Sequence, residues 1–438
     1  QYMNNIGEKL KNSVIFKILP LLVFVFNPKI DLIYIPGYWQ GIRLDDLIVL
    51  FYLIFFFFFH KGKIYPNLIH PGKQGFNFII FFPYLVLSLL IGKFFGPPSL
   101  NIEWIIPLRY LEYIGLIVVL NELDTSKKTI IVLIKAYIVI NFICVLLQYF
   151  HIIGAIQSRG FSPNMLTDAV LSAKPSAEKY DGFLKDVLIP PGGIYLNRAP
   201  GISGGPLELS TNLSISIFCL YIFNKSIIKT LPYFILTLIM LWIAQSRGLV
   251  FGFAAGLIFL IKDPKKILLF IIFIVSTSSV MYFFDLFEFK KIFEDKFYID
   301  YIGVAKLFTA SISGNIPPLN TFEGTGLESM WYRATNWNSQ FIKLRDFWLF
   351  PFFGYGGDQV YTESLIVRMI TCFGAIGTII IIYFARNLPL YFLVFCFVSG
   401  LTFDLFVSFK IFLFSYLLLS IHKNTLDKYI NLNLQKSN

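Results

Sequence analysis

Two short stretches carry the residue types that grip an anion. The first, Arg198-Ala-Pro-Gly-Ile-Ser-Gly-Gly-Pro-Leu-Glu-Leu-Ser210, leaves a long polar segment and enters an apolar one. Gly201, Gly204 and Gly205 allow successive backbone N–H groups to turn toward one concavity, and Pro206 suits the first position of the following helix. The second, Gln245-Ser246-Arg247-Gly248, is the tip between the next two apolar segments. A helix N-terminus supplies about half a positive charge, and a guanidinium fork meets two phosphate oxygens at once. The expectation is that Arg198 and Arg247 hold a diphosphate at a membrane surface. A tight turn with an interfacial arginine is the plainer reading of either one alone.

Carboxylates and other polar groups stand close by in sequence. Glu208, Asn212 and Ser216 recur at a spacing of four on the helix after the glycine turn, with Thr211 beside them. A polar stripe on a membrane helix faces a cavity or another helix rather than lipid. Packing alone explains the serines; Glu208, one turn from the glycines, calls for more. A charge at mid-membrane costs about 2.5 to 3.5 kcal/mol on insertion scales, so each needs a reason. Arg109 and Glu112, three apart on one face, are expected to pair. Lys17 and Lys135 are read as snorkelling, Lys410 less comfortably so. Arg368, just beyond Glu363 in a late apolar segment, is a site candidate. The chain has no Asp-x-Asp, no His/Cys ligand cluster, no Gly-x-Gly-x-x-Gly and no phosphate-loop lysine. Chemistry without metal, nucleotide or other cofactor is the expectation. His151 is the only outward-lying histidine, so no Ser/His/Asp arrangement is proposed.

The elements that must position these groups are apolar helices. Of 438 residues, 56% are hydrophobic and 14% charged, with a mean hydropathy of +0.69, which is the membrane class. A span needs roughly 20 apolar residues, and that template gives about twelve. They fall near Leu10 to Phe26, Leu44 to Phe59, Phe76 to Phe95, Ile105 to Leu120, Thr129 to Phe150 and Leu207 to Phe223. Six more follow near Leu231 to Gln245, Leu249 to Ile261, Ile267 to Leu286, Glu363 to Phe384, Leu388 to Leu401 and Leu405 to Ile421. The net charge of +11 sits in short turns, so it is read as orientation and not as nucleic-acid binding. With the N-terminus inside, every inner turn is basic, and both termini are cytoplasmic. The first apolar run lacks a small-residue cleavage site before Asn27-Pro28 and is read as a retained span. Cys144, Cys219, Cys372 and Cys396 lie inside apolar runs, so no disulfide framework is expected.

Two long outer stretches remain, His151 to Pro206 and Phe287 to Thr362. The second carries Met330, Ala334, Trp337, Phe341 and Leu344 at helical spacing opposite Arg333, Asn336, Gln340 and Lys343, an amphipathic helix able to lie along the membrane. In the first, Pro163 to Leu188 reads as a weaker helix ended by Pro190-Pro191. All six tryptophans fall on the outer side, as an interfacial belt or as sugar-stacking surfaces. Arg247 tips a hairpin whose arms offer only about 15 and 13 apolar residues, which sinks it toward lipid-phosphate depth. Gly252 and Gly256 give the eighth span a close-packing face. The resulting division is spans one to five over 1–150, a loop over 151–206, spans six to nine over 207–286, a second loop over 287–362, and spans ten to twelve with the tail over 363–438.

The motifs, in this order and spacing, resemble those of the bacterial O-antigen and capsule polymerases (Wzy-type), kin to the O-antigen ligases. The likeness covers roughly the C-terminal two thirds. It rests on Arg198-x-x-Gly-x-x-Gly-Gly-Pro, Gln245-Ser246-Arg247-Gly248, Pro351-Phe-Phe-Gly354-Tyr-Gly356, Glu363-Ser364-Leu365 and Gly374-Ala-Ile-Gly377. The resemblance implies an all-α polytopic, GT-C-like inner-membrane glycosyltransferase with its active site on the periplasmic side. It would move a growing glycan from undecaprenyl diphosphate onto the terminal sugar of a lipid-linked repeat unit. Lipid-linked donor and acceptor oligosaccharides, membrane lipid and a chain-length regulator protein are the implied partners. Inverting displacement then assigns the departing diphosphate to Arg198 and Arg247, with Arg333, Arg345 and Arg368 behind them. The proton of the attacking hydroxyl goes to Glu208 or Glu363, with Asp358 behind. Trp331, Tyr332 and Trp337 offer sugar-stacking faces. The ligases carry a histidine late in the second long loop, and this chain has none between His151 and His422, which disfavours ligation. A lipid-oligosaccharide flippase is the non-enzyme alternative; such transporters have shorter loops and charges nearer mid-membrane.

Overall fold

The structure is a computed structural model, described here for residues 13–27, 31–33, 42–60, 78–96, 105–123, 125–150, 152–153, 199–203, 205–244, 246–261, 263–286, 290, 301–322, 327–356, 364–386, 388–405 and 408–436. Its apolar runs are helices. In order they are α1 (Val14–Phe26), α2 (Leu44–His60), α3 (Phe78–Phe95), α4 (Ile105–Leu123), α5 (Lys127–Tyr149), α6 (Pro206–Asn224), α7 (Ile227–Ala244), α8 (Arg247–Ile261) and α9 (Pro264–Phe283). Then come α10 (Tyr301–Ser313), α11 (Glu328–Arg345), α12 (Phe350–Phe353), α13 (Leu365–Thr371), α14 (Gly374–Ala385), α15 (Leu390–Gly400) and α16 (Phe409–Lys436). One antiparallel ribbon, β1 (Asp31–Ile33) with β2 (Ile42–Arg43), joins α1 to α2. Among the described residues, α5, α6, α7 and α9 are long and apolar enough to cross a membrane, and several shorter apolar helices accompany them.

Packing divides the chain into two interleaved units, one formed by Gln1–Lys73, Leu108–Ser246 and Phe406–Asn438, the other by Gln74–Pro107 and Arg247–Leu405. This grouping cuts across the division in chain order drawn from hydropathy.

The first unit is built around α6, where all residues from Glu208 to Leu220 are buried against α5, α7 and α16. So polar a helix tolerates that position because its hydroxyls bond back to its own carbonyls. Ser210 donates to Pro206 O, Thr211 to Leu207 O, Ser214 to Ser210 O and Ser216 to Asn212 O, each at 2.7 to 2.9 Å. These small side chains then let neighbouring helices approach closely.

In the second unit, α8 and α15 meet backbone to backbone. A Cβ on Gly252 would fall 2.0 Å from Ser399 Oγ and 3.1 Å from Ser399 N. The amphipathic α11 does not lie on lipid. Its apolar face, with Met330, Ala334, Trp337 and Phe341, closes a core with Leu307, Leu327 and Val367. The helix and its apolar stripe are as expected from sequence, but Gln340, expected on the polar side, is fully buried and accepts from Tyr355, and α10 supplies the partner that lipid was expected to be.

The tenth apolar run is also not one span. It breaks between α13 and α14, where Gly374 turns at φ +62° and its missing Cβ leaves room for Gly354 N at 2.4 Å. Carbonyls freed by the break are taken up within the unit. Ser88 donates to Cys372 O at 3.0 Å, Tyr84 donates to Phe373 O, and Gly356 N donates to Cys372 O at 2.9 Å.

Candidate functional site

The glycine turn ahead of α6 is fastened from α5. Gln148 clamps Gly201 at both ends of its peptide groups, accepting from its N–H at 2.8 Å and donating to its carbonyl at 3.1 Å. Asn141 accepts from Ile202 N–H at 3.1 Å and donates to Tyr137 O at 2.9 Å. Tyr137 and Ser203 share a hydroxyl hydrogen bond, and Ser203 N–H donates to Pro200 O at 3.2 Å. The N–H groups of Gly201, Ile202 and Ser203 are therefore spent on protein acceptors. Of the expected anion nest, Gly204 lies outside the described residues; Gly201 serves a positive φ of +59° and close approach to α5.

What the turn delivers is Glu208. Its carboxylate, 6% exposed, accepts a hydrogen bond from Ser408 Oγ at the start of α16. Two residues on, Lys410 donates to Ile202 O at 3.2 Å, so one helix start grips both the turn and the carboxylate. Glu208 and Lys410 line a small pocket of about 10 Å³, room for roughly one water molecule, whose other charged walls are Arg43 and Asp45, with Phe24 and Phe409 as apolar lining. The ribbon sets Arg43 there and the first turn of α2 sets Asp45, and Arg43 N–H donates to Asp46 at 2.8 Å. Behind the pocket, Arg109 pairs with Glu112 at 2.9 Å, the i,i+3 pair expected from sequence, and also with Asp46. One carboxylate oxygen from each of Asp45, Asp46 and Glu112 lies within 4.8 Å of the others. The search for metal-ligand patterns in sequence missed this group because α4 brings Glu112 to residues far upstream.

The remaining sequence candidates are dispersed. Arg198, Asp358 and Glu363 lie outside the described residues. Ser246 sits at the turn, donating to Pro206 O at 3.4 Å, and Arg247 opens α8 in the second unit. Arg368 is not poised for a substrate: it is 6% exposed and ion-paired with the fully buried Asp404, which holds the start of the broken span. Arg345 is exposed and donates to Ile312 O; Arg333 lies half-buried on α11. Of the stacking candidates, Tyr332 is 54% exposed, whereas Trp331 donates its indole N–H to Pro317 O at 2.7 Å. Trp337 is corrected from sugar platform to core residue, since it is 1% exposed with its ring edge-on to Phe308. Lys135 lies over the Tyr233 ring at 5.4 Å, a cation–π contact in place of simple snorkelling.

Sequence reasoning overlooked Arg43, Asp45, Asn141, Gln148 and Ser408. The available signal was the unease over Lys410: a lysine inside an apolar run with no sequence neighbour needs a tertiary partner, and the glycine turn supplies it.

Fold and site together define an apolar, helical membrane protein with a small charged pocket inside its first unit. No family model, curated protein or solved structure matches the chain.

Proposed function

We propose that the protein is a polysaccharide polymerase of the O-antigen or capsule type. It would transfer a growing glycan from undecaprenyl diphosphate onto the terminal sugar of a lipid-linked repeat unit, at the periplasmic face of a bacterial inner membrane. The observation that carries this reading is Glu208: a buried carboxylate in the first turn of a membrane helix, held by Ser408 and lining a small pocket together with Arg43 and Lys410. In the reaction, Glu208 takes the proton of the attacking hydroxyl as the oxygen bonds the anomeric carbon. The carbon–oxygen bond to diphosphate breaks on the opposite face, and Arg198 and Arg247 steady the charge that grows on the leaving group. Glu363 is retained as the competing base.

The test is a purified assay with lipid-linked repeat units. Glu208→Gln keeps an oxygen for the Ser408 hydroxyl, so the variant is expected to fold normally and lose about 100- to 10,000-fold in chain extension. Arg198→Ala and Arg247→Ala are expected to lose polymer ladders as well. A Glu208→Gln ladder equal to wild type removes that residue as base, and Glu363→Gln tests its rival.

One observation favours a second reading, a lipid-oligosaccharide transporter. The span broken at α13 and α14, with Arg368 and Asp404 buried beside the break, is a feature of transporters. Against it, Ser88 and Tyr84 already occupy carbonyls that would otherwise ligate an ion. Passage of labelled lipid across liposomes without extension would decide for transport.

A further inference from the structure

Asp45, Asp46 and Glu112 converge from α2 and α4, with Arg43 and Arg109 as the cations beside them. Three carboxylates against two guanidiniums leave one negative charge uncompensated. Burial makes that imbalance costly, because Asp45 and Glu112 are only 8% and 9% exposed. Two of the carboxylate oxygens, Asp45 Oδ1 and Glu112 Oε1, are buried with no hydrogen-bond partner. Buried acceptors are rarely left in that condition, so the two oxygens point to an occupant that the protein itself does not supply.

We propose that Asp45, Asp46 and Glu112 bind a single hard monovalent cation, of the sodium class. Carboxylate oxygens select hard cations, and the 4.8 Å span of the three ligand atoms suits one ion gathered among them. A proton bridges a single pair of oxygens and leaves the third carboxylate unserved. A divalent ion overshoots the missing charge and meets repulsion from both guanidiniums. Asp46 accepts from Arg109 and from Arg43 N–H, yet each of its oxygens keeps a lone pair for a metal. Asp45 belongs both to this group and to the small pocket lined by Glu208. The ion's task is to neutralise the base of the ribbon and α2, and it stands apart from the polymerase reading.

The experiment is thermal unfolding of the full chain in detergent, at constant ionic strength, with sodium replaced stepwise by N-methylglucamine. Wild type is expected to gain a saturable rise in Tm with sodium. Asp45→Asn or Glu112→Gln balances two carboxylates with two guanidiniums, so each variant is expected to fold and to lose the sodium dependence. Asp263→Ala, which removes a helix-capping carboxylate at another turn, is expected to lower Tm while keeping the sodium dependence. The proposal is overturned if sodium and N-methylglucamine act alike on wild type, if a magnesium salt alone raises Tm, if pH alone replaces the sodium effect, or if both cluster variants respond as wild type does. None of these readouts involves glycan transfer, so their failure is separable from failure of the polymerase reading.

Discussion

At Gly201 a Cβ would fall 2.3 Å from Asn141 Oδ1, and the backbone stands at φ +59°. Gly201→Ala must therefore displace the acceptor of Ile202 N–H as well as strain the turn. Destabilisation of about 2 to 4 kcal/mol is expected, measured as denaturation of the purified protein. Gln148→Ala, which strips partners from a buried N–H and a buried carbonyl, should cost about 1 to 3 kcal/mol for each group orphaned. Arg368 and Asp404 call for a double-mutant cycle: either single alanine strands a buried charge at about 3 to 5 kcal/mol, and the double variant should recover much of that loss. Additive losses would instead mean that the pair is not coupled. At this scale the sequence displayed the glycines, Glu208 and the Arg109–Glu112 pair, all of them local patterns. It hid the partners that decide what those residues do. Gln148 lies 53 residues from Gly201, Asp46 63 from Arg109, and Ser408 200 from Glu208. A turn that in sequence offers its N–H groups to a ligand had already given those of Gly201 and Ile202 to α5.

Among the elements, hydropathy located apolar helices well, since α2, α5 and α6 begin and end within a few residues of their apolar runs. It missed the break in the tenth run because the intervening Cys372 and Phe373 are apolar; a positive φ at Gly374 marks where the chain turns. It misassigned α11 because period shows which face is buried and is silent on what buries it. That correction has a measurable consequence. Trp337→Ala should cost about 3 to 5 kcal/mol in stability, whereas Tyr332→Ala, exposed on the same helix, should lie within about 0.5 kcal/mol of wild type. A Trp337 variant with unchanged stability and lost activity would restore its role as a sugar platform.

For the molecule as a whole, the inside and outside of an apolar protein cannot be told apart by composition. All of α6 from Glu208 to Leu220 is closed off, while α9, of similar hydrophobic length, keeps Leu268, Ile271 and Ile272 at 57%, 50% and 56% exposure. The more hydrophobic helix is the more exposed one, since α9 is the more apolar of the two. Lipid explains the inversion. Between packed helices there is no hydrophobic gain left to collect, so small and polar side chains do the joining, and large apolar ones are left to meet acyl chains. Tryptophan scanning tests this directly. Replacing Leu268, Ile271 or Ile272 by Trp should change stability by no more than about 0.5 kcal/mol, since lipid yields to the larger ring. Replacing Ser214 or Ile215, both fully buried, should cost about 1 to 3 kcal/mol or more by overpacking. Equal tolerance on α6 and α9 would mean that α6 also faces lipid, and the polar centre of the first unit would then have to be redrawn.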